Sequence, residues 1–494
     1  MKKILFVLVF LSYQCITAQD SRIPLDTTVI TTNSVIIKGK NVPYKAMTGM
    51  QPVWNSNGKI VATLNYTYYS RTDVKDNSKR PLIMSFNGGP GSASVWMHIA
   101  YTGPKILKID DEGNPIQPYG IQDNPYSVLD VADIVFINPV NTGYSRPVLE
   151  KGEKIDEKYF FGVNADAKYL ADWLTTFMTR NNRWLSPKYI IGESYGGTRV
   201  MQLANELQGR QWMYLNGVIM VSPADYKVIR TGGSEDIAMN LPYFTATAWY
   251  HKMLPADLQQ KDLEEILPEA ELFSYNELLP AIAKGGNITD EERNSVAEKM
   301  ARFTGIKKRV LLQQNLEMKP SFFWKELLRD KTGQTIGRLD SRYLGIDRQE
   351  IGTSPDYSPE LTSWLHSFTP AINYYTQNIL NFKTDVKYNM FGPVGNWDFE
   401  NEDARESLRK AMAQNPYLQV LVQSGYYDGA TTYSVAKYTM GKIDPSGKMK
   451  NRMSFKGYRS GHMMYLRKED LEKANEDLRS FIKKSSENIG AAKY

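Results

Sequence analysis

The chain has 494 residues, of which 42% are hydrophobic and 23% charged, and its formal net charge is +6. This mild charge is spread along the sequence without a basic cluster interleaved with aromatic residues, which argues against nucleic-acid binding. The sequence has neither a Cys/His cluster nor a His-Glu-x-x-His pattern, and its Gly-rich loop at 87–91 does not fit a phosphate-binding Gly-x-x-x-x-Gly-Lys. We therefore expect no metal, no nucleotide and no other cofactor.

The N-terminus has the pattern of a secretory signal. Two lysines precede an apolar run at 4–11, and small residues follow it. Because this run is too short to span a bilayer, we expect residues 1–19 to be a cleaved signal peptide and the protein to be secreted or periplasmic. Lipid attachment at Cys15 is a less favoured alternative, since no small residue stands just ahead of it. Cys15 is the only cysteine, so we expect no disulfide in the mature chain, and we find no other candidate transmembrane segment.

Between residues 28 and 222, short segments predict a series of β-strands. Residues 28–70 alternate apolar and polar positions, as antiparallel strands do, and the later segments are continuous apolar runs suited to a buried sheet. Apolar residues at helical spacing over 164–180 predict an amphipathic helix packed on that sheet. The predicted strands lie at 35–37, 60–64, 81–86, 133–137, 188–191 and 217–222.

The strand at 81–86 runs into the loop Asn87-Gly88-Gly89-Pro90-Gly91. Glycines at such a place let backbone N–H groups approach a developing negative oxygen, with no side chain in the way. Composition alone favours an ordinary Gly/Pro turn. The loop follows a strand that should neighbour the strand at 188–191, which favours an oxyanion-binding loop instead.

The segment Gly192-Glu193-Ser194-Tyr195-Gly196-Gly197 lies between the strand at 188–191 and a predicted helix at 198–207. A strand, then Gly-x-Ser-x-Gly, then a helix is the arrangement of a nucleophile elbow, whose sharp turn exposes the serine hydroxyl. The bare motif is a weak signal, but this placement makes Ser194 the candidate nucleophile. The N–H of Tyr195 is then a candidate donor to the oxyanion.

Between about 231 and 390 strand signals fade, and helix-like charged segments such as 255–265 and 289–303 take over. In α/β-hydrolases, an insertion before the strand that bears the catalytic acid usually forms a lid. The aromatic-rich segment 243–251 either lines a substrate pocket or forms the core of this insertion, and Trp397 has the same two interpretations.

The chain returns to strands near its C-terminus. Asp428 follows a predicted strand at 420–425, and His462 follows another at 453–458, ahead of a helix that begins near Lys468. A serine nucleophile needs a base and an orienting acid, and with this elbow the chain order is serine, acid, histidine. A solvated turn aspartate and a loop histidine are the plain alternatives, but the order and the strand-end positions favour Asp428 and His462. His366, in a helix-like stretch, is expected to be a packed side chain.

These elements predict an α/β-hydrolase fold, in which helices flank a mostly parallel central sheet. We expect the first part of the core at 20–230, a mostly helical lid at 231–390, and the second part of the core at 391–494.

Several motifs resemble those of the serine carboxypeptidase family (peptidase family S10), with its bacterial branch as the best fit. They are Asn-Gly-Gly-Pro-Gly-x-x-Ser from residue 87, Gly-Glu-Ser-Tyr-Gly-Gly from 192, Gly-x-x-Asp from 425 and Ser-Gly-His-Met from 460, with further similar segments at 124–127 and 138–145.

The resemblance implies roles for particular residues. Ser194, Asp428 and His462 form the triad, and Gly89 and Tyr195 donate backbone N–H groups to the oxyanion. The substrate's terminal carboxylate is held by the side chains of Asn87 and Glu193 and by the N–H of Gly88.

A carboxylate beside Glu193 requires that the two acids share one proton, since like charges cannot both stay ionised in a dry pocket. Binding should therefore weaken as the pH rises. The plain alternatives are a polar spacer for Glu193 and a turn-capping role for Asn87.

The sequence departs from the family pattern in three places. Ser92 stands where the family has a cysteine, the segment 99–104 lacks an acid that the family often has, and Tyr426 replaces the first acid of a Gly-Asp-x-Asp pattern. The second departure puts the detail of carboxylate recognition in doubt.

The sequence thus predicts a secreted serine carboxypeptidase that acts on peptide or protein C-termini through an acyl-enzyme. An esterase or acyltransferase on the same fold is the first alternative. A non-catalytic binding protein of the cell envelope is the second.

Overall fold

The computed structural model describes residues 23–224, 231–399 and 403–487. The predicted signal peptide at 1–19, with Cys15, lies outside these residues. Of the helices within the three ranges, none combines the length and the apolar character needed to cross a bilayer.

The described residues form one large mixed sheet and two small two-stranded sheets, β5 with β6 and β11 with β12. In chain order the strands are β1 (Thr27–Ile37), β2 (Lys40–Trp54), β3 (Ile60–Arg71), β4 (Leu82–Phe86), β5 (Lys105–Leu107), β6 (Ile121–Asp123), β7 (Asp133–Ile137), β8 (Arg146–Pro147), β9 (Lys188–Glu193), β10 (Gly217–Val221), β11 (Thr335–Ile336), β12 (Leu344–Gly345), β13 (Gln419–Gly425) and β14 (Met453–Tyr458).

The strand order of the large sheet is β1-β2-β3-β7-β4-β9-β10-β13-β14, with β8 beside β3. The pairs from β1 to β7 are antiparallel, and every pair from β7 to β14 is parallel. The carboxyl ends of β4, β9, β13 and β14 therefore meet at one edge of the sheet, where open α/β sheets bind their ligands. Asn87, Ser194, Asp428 and His462 come after these four ends.

Helices cover both faces of the parallel strands. The helices are α1 (Val95–Ala100), α2 (Glu157–Phe160), α3 (Val163–Arg180), α4 (Tyr195–Gly209), α5 (Ser234–Met239), α6 (Leu241–Tyr250), α7 (Ala256–Gln259), α8 (Leu263–Phe273), α9 (Leu279–Ala283), α10 (Asp290–Thr304), α11 (Lys308–Gln313), α12 (Pro320–Glu326), α13 (Arg329–Thr332), α14 (Pro359–Tyr374), α15 (Ala404–Gln414), α16 (Tyr433–Ile443) and α17 (Lys468–Ser486). Short 3₁₀ turns occur at Val128–Asp130, Gly285–Asn287 and Lys450–Arg452, and π-helical turns at Ser274–Leu278 and Tyr375–Ile379.

Strand β9 shows why the buried strands are apolar throughout. Tyr189 and Ile191 pack into a core with α1, α14 and α17 on one face, while Ile190 packs into a second core with α3, α4 and α15 on the other. Because both faces are covered, alternating positions are equally buried, and a continuous apolar run results.

Helices α5 to α13 form the helical insertion, which has a hydrophobic cluster of its own. Tyr243 and Phe244 belong to this cluster, so this part of the aromatic segment 243–251 is core of the insertion and not pocket wall. The prediction of a helix-like segment at 255–265 is wrong in detail, because two helices, α7 and α8, share this range. A new helix, α8, begins after Asp262, because the Asp262 carboxylate accepts a hydrogen bond from Glu264 N–H at 3.0 Å as an N-cap.

Helix α14 lies within the predicted lid range but packs on the first core, through Trp364 and Phe368. The expectation that His366 is a packed side chain is wrong: His366 is exposed. It lies two positions from each of these inward-facing residues, and this spacing turns its side chain away from the core. Its ring Nδ1 lies 2.7 Å from the carbonyl oxygen of Thr362.

Candidate active site

Ser194 stands at the sharp turn between β9 and α4, with φ +60° and ψ −126°. A non-glycine residue in such a conformation costs about 1–3 kcal/mol and persists only when its surroundings fix it. Here Ser194 N–H donates to the carbonyl of Val221 at 2.9 Å, and its own carbonyl accepts from Gly197 and Ala224 at 2.8 and 3.0 Å. Ser194 is partly exposed while its neighbours on both sides are buried.

The glycines of this turn are required by close approach. A Cβ at Gly192 would lie 2.0 Å from the carbonyl oxygen of Gly196, and a Cβ at Gly197 would lie 2.7 Å from Pro223 Cβ. Both distances are too short for a side chain. The Gly-x-Ser-x-Gly-Gly sequence therefore folds into the elbow that it predicts, with the serine at its tip.

The loop after β4 packs directly on this elbow. A Cβ at Gly88 would lie 2.5 Å from Tyr195 N and 2.6 Å from the carbonyl oxygen of Glu193. Gly89, next to it, is exposed and has φ +103°. The two candidate oxyanion donors, Gly89 N–H and Tyr195 N–H, therefore belong to segments in close contact.

The buried guanidinium of Arg199 holds the loop in place. It donates to the carbonyl oxygens of Asn87 and, at 3.1 Å, Pro90, and its Nε lies 2.6 Å from the carboxylate of Asp166. Arg199 and Asp166 lie on α4 and α3, so two helices fix the loop. The sequence analysis missed both residues because nothing in their local sequence marks them.

Asp428 and His462 meet at the carboxyl ends of β13 and β14. Asp428 is fully buried, and its Oδ2 lies 2.7 Å from His462 Nδ1. Its Oδ1 accepts backbone N–H groups of Ala430 at 2.8 Å and Thr431 at 3.1 Å, and the Thr431 hydroxyl lies 2.6 Å from Oδ2. The carboxylate thus holds the imidazole through Nδ1, which leaves Nε2 as the nitrogen able to accept a proton.

The environment of His462 favours its cationic form. Burial alone lowers the pKa of the imidazole and is the largest single effect. The charge and hydrogen bond of Asp428, together with the charge of Glu193, outweigh it and raise the pKa above its usual value, although the nearby Arg338 opposes them. An imidazolium formed during a reaction is therefore stabilised here.

A short segment after the helical insertion, residues 337–343, connects the acid and histidine loops; we call it the bridging segment. The carbonyl of Arg338 accepts from Gly429 N–H at 2.9 Å, that of Leu339 accepts from His462 N–H at 2.6 Å, and Ser341 N–H donates to the carbonyl of Tyr427 at 3.0 Å. The segment therefore positions both loops through their backbones, and the sequence analysis gave no sign of it.

Glu193 is buried beside Ser194. Asn87 Nδ2 donates to its Oε1 at 2.9 Å, and the hydroxyl of Tyr465 donates to its Oε2. Burial is the largest effect and raises the pKa of Glu193 to about 7; the charge of Asp428 adds to it, while His462 and the two hydrogen bonds oppose it. Near neutral pH this carboxyl group therefore holds its proton for about half of the time.

Tyr465 is the polar partner of Glu193 that the sequence analysis missed. Its ring stacks on that of Tyr101, with centroids 4.8 Å apart and planes 7° from parallel. Tyr101 lies in the segment 99–104, where the family pattern often has an acid. A tyrosine pair therefore supports the buried carboxyl group in this chain.

One cavity of about 220 Å³ joins these groups. Ser194 and His462 both line it, as do Asn87, Gly88, Gly89 and Glu193, while Asp428 is buried behind His462. Its apolar wall is formed by Trp96, Trp364, Leu361, Phe391 and Met463. Trp397 is not among the lining residues, and its indole N–H donates to the hydroxyl of Tyr195 at 3.1 Å.

The arrangement has the parts that an acyl-transfer reaction uses: a partly exposed serine at a sharp turn, a base held by an acid, a glycine loop packed against that turn, and a buried acid. All eight residues predicted from the sequence lie in this one region of the structure. Among the described residues, no group of three or more His, Cys, Asp or Glu side chains is placed so that it could hold a metal ion.

Sequence comparison relates the chain to serine carboxypeptidases. The family profile described as serine carboxypeptidase matches residues 40–470. Serine carboxypeptidase-like 36 of Arabidopsis thaliana is 30% identical over 194 residues, which cover 37% of this chain and 36% of that protein. Serine carboxypeptidase-like 37 of the same plant is 32% identical over 168 residues, covering 32% of this chain and 31% of the relative. The chain thus spans about a third of the length of the curated relatives it matches.

Solved structures extend the likeness to the whole fold. The crystal structure of KEX1(delta)p, a prohormone-processing carboxypeptidase from Saccharomyces cerevisiae, matches with a TM-score of 0.53. The match covers 92% of this chain and 93% of that one at 16% sequence identity. At this identity the likeness concerns the fold alone, and it confirms the predicted α/β-hydrolase class.

Proposed function

The chain belongs to the serine carboxypeptidase family, and from that premise we propose that it is a serine carboxypeptidase that removes residues from the C-termini of peptides. The observation that carries the proposal is a single cavity lined by Ser194, by His462 paired with Asp428, and by the buried acid Glu193. The first two features suit acyl transfer, and the third suits a substrate that ends in a carboxylate.

In the proposed acylation step, Ser194 Oγ attacks the carbonyl carbon of the last peptide bond. His462 Nε2 takes the hydroxyl proton, and Asp428 stabilises the imidazolium. The N–H groups of Gly89 and Tyr195 donate to the oxyanion. The C–N bond then breaks as His462 gives its proton to the leaving amine, and the released amino acid carries it away.

Deacylation repeats the same steps with water. His462 removes a proton from the water molecule as its oxygen attacks the acyl carbon. The ester bond to Ser194 Oγ breaks, and the serine oxygen regains a proton from His462. The shortened peptide leaves with a new terminal carboxylate, and no cofactor takes part.

Recognition of the chain end is proposed for Glu193, Asn87 and the N–H of Gly88. With its pKa at about 7, Glu193 can donate its proton to an incoming carboxylate at acid and neutral pH. Above that pH the two carboxylates repel each other in a buried site, where charges are poorly screened. Selection for free C-termini is therefore tied to the protonation of one residue.

The proposal is tested with pairs of peptides that differ only in their last group, a free carboxylate or an amide. Mass spectrometry follows the loss of C-terminal residues. A carboxypeptidase shortens the free acid much faster than the amide. Two results would instead assign an esterase or acyltransferase activity to this fold. One is equal rates on the free acid and the amide; the other is hydrolysis of simple esters while neither peptide loses its C-terminal residue.

The location and the lineage are proposals too. Secretion or periplasmic export is supported by the lysines and the apolar run at the N-terminus. Membership of the bacterial branch of the family is supported by the fit of the motifs. N-terminal sequencing of the protein from the periplasm or medium should begin at or near residue 20; a mature N-terminus at lipid-modified Cys15 would contradict this.

A further inference from the structure

Arg338 is a cation in the cavity wall that the proposed chemistry does not use. It belongs to the bridging segment, and its backbone carbonyl holds the acid loop through Gly429. Its side chain is exposed and lines the cavity that Ser194 and His462 share. The ionisable residues of that wall, within the described chain, are Glu193, Arg338 and His462.

The guanidinium of Arg338 makes no hydrogen bond and no ion pair with any residue in the described ranges. Neighbouring arginines are different. Arg342 lies 2.7 Å from the carboxylate of Asp340, and Arg329 lies 2.5 Å from that of Glu326. A guanidinium presents five donors in a planar fork that matches a carboxylate, so Arg338 offers an unused binding site for an anion.

This cation lies close to the reacting groups. The carbonyl of the next residue, Leu339, accepts the N–H of His462 at 2.6 Å, and the positive charge of Arg338 partly opposes the rise in the pKa of that imidazole. Because Arg338 lines the same cavity as Ser194 and His462, an anion that it binds lies in the site where the peptide is cleaved.

Apart from Glu193 and His462, the described residues of the wall carry no other ionisable group beside Arg338. The rest of the wall includes large apolar groups, among them Trp96, Trp364 and Phe391. The terminal carboxylate already has proposed partners in Asn87 and Glu193, which hydrogen-bond to each other at 2.9 Å. An acidic side chain of the substrate is the group that remains for Arg338.

We propose that Arg338 binds an acidic side chain next to the scissile bond, so that the enzyme prefers peptides with Asp or Glu as the last or penultimate residue. This inference rests on the proposed carboxypeptidase activity and names the substrate class of the same site. Arg338 acts as a specificity-determining residue and takes no direct part in bond making or breaking at Ser194.

The test uses isosteric peptide pairs, Glu against Gln, placed once at the last and once at the penultimate position. The measured quantity is the ratio of kcat/KM for the two members of a pair with one enzyme, because this ratio cancels any effect of a substitution on the common chemistry. A charge-assisted, partly solvated hydrogen-bond pair gives a preference of about tenfold for Glu. The preference should weaken as ionic strength rises.

Arg338→Gln should bring the ratio of kcat/KM for the Glu and Gln peptides close to one at the position where wild type prefers Glu. The variant should still turn over the Gln peptide. Arg338→Glu should reverse the preference toward a peptide with Lys at that position. Arg309→Gln is the matched control, since Arg309 is an exposed arginine on α11 of the helical insertion and does not line the cavity.

The outcomes separate this inference from the proposed function. If wild type releases the C-terminal residue from the Gln peptides but shows no preference for Glu at either position, or if Arg338→Gln leaves the preference unchanged, the inference is wrong and the carboxypeptidase stands. If neither member of any pair is shortened by wild type, the proposed function itself has failed.

Discussion

The substitution Glu193→Gln tests the proposed proton switch quantitatively. Glutamine keeps the shape of the side chain and removes its ionisation. In wild type the pKa of Glu193 is raised to about 7. Its protonated fraction therefore falls from about nine-tenths at pH 6 to about one-tenth at pH 8. If only the protonated form accepts a terminal carboxylate, binding of free-acid peptides should fall about tenfold over this range.

The assay compares kcat/KM for a free-acid peptide with that for its C-terminal amide at each pH. Both substrates need neutral His462 as the base, so the ascending limb of the pH profile cancels in their ratio. In wild type the ratio should fall about tenfold between pH 6 and pH 8. In Glu193→Gln it should stay flat.

The same variant carries a second signature. The charge of Glu193 helps to raise the pKa of His462, so its removal should move the ascending limb to lower pH. A matched control is Glu265→Gln, an exposed carboxyl group on α8. A ratio that falls with pH in Glu193→Gln just as it does in wild type would refute the shared proton.

Three further predictions concern the triad and a second buried acid. Ser194→Ala should abolish peptide hydrolysis while urea unfolding and circular dichroism stay as in wild type; residual turnover equal to wild type would remove Ser194 from the mechanism. Asp428→Asn should lower kcat by about 10⁴-fold, the size of loss seen when a triad acid is replaced in this way, with little change in KM; a loss below about tenfold would contradict the assigned role. Glu360 is fully buried under the bridging segment, its Oε1 accepts Leu339 N–H at 2.7 Å, and burial raises its pKa to about 7. A carboxyl group whose pKa is raised by folding stabilises the fold at low pH. It loses that contribution as the pH rises from 4.5, its ordinary pKa, to about 7, its pKa in the fold. The free energy of unfolding of Glu360→Gln, relative to that of wild type, should therefore be about 2 kcal/mol higher at pH 8 than at pH 5. Urea titrations at the two pH values measure this difference, and no change in it would show that Glu360 ionises as freely as in the unfolded chain.

The sequence predicts those parts of the structure that local pattern controls. The elbow at Ser194 is encoded in six consecutive residues, because only glycine fits the contacts at Gly192 and Gly197. The strand leading to Asp428 contains an apolar run, and the strand leading to His462 alternates apolar residues with polar or small ones. Once these were recognised, the chain order of the triad located both residues, and the structure brings their side chains to 2.7 Å.

Other parts depend on contacts between distant segments, which no local pattern records. The bridging segment has an ordinary sequence, yet its Leu339 carbonyl bonds to His462 from 123 positions away in the chain. Tyr465 and Arg199 gain their roles only when α4 and the loop after β14 meet the Asn87 loop. That Arg338 has no hydrogen-bond or ion-pair partner among the described residues is likewise a property of the folded cavity, and a sequence cannot reveal it.

The central claim is that Ser194, Asp428 and His462 form one hydrolytic centre. Its most direct test is labelling with a fluorophosphonate probe, followed by peptide mapping of the modified residue. The account predicts a single labelled site at Ser194, with labelling lost in Ser194→Ala and strongly slowed when His462 is replaced by glutamine. Absence of labelling in the folded wild-type protein, or modification of a different serine, would contradict it.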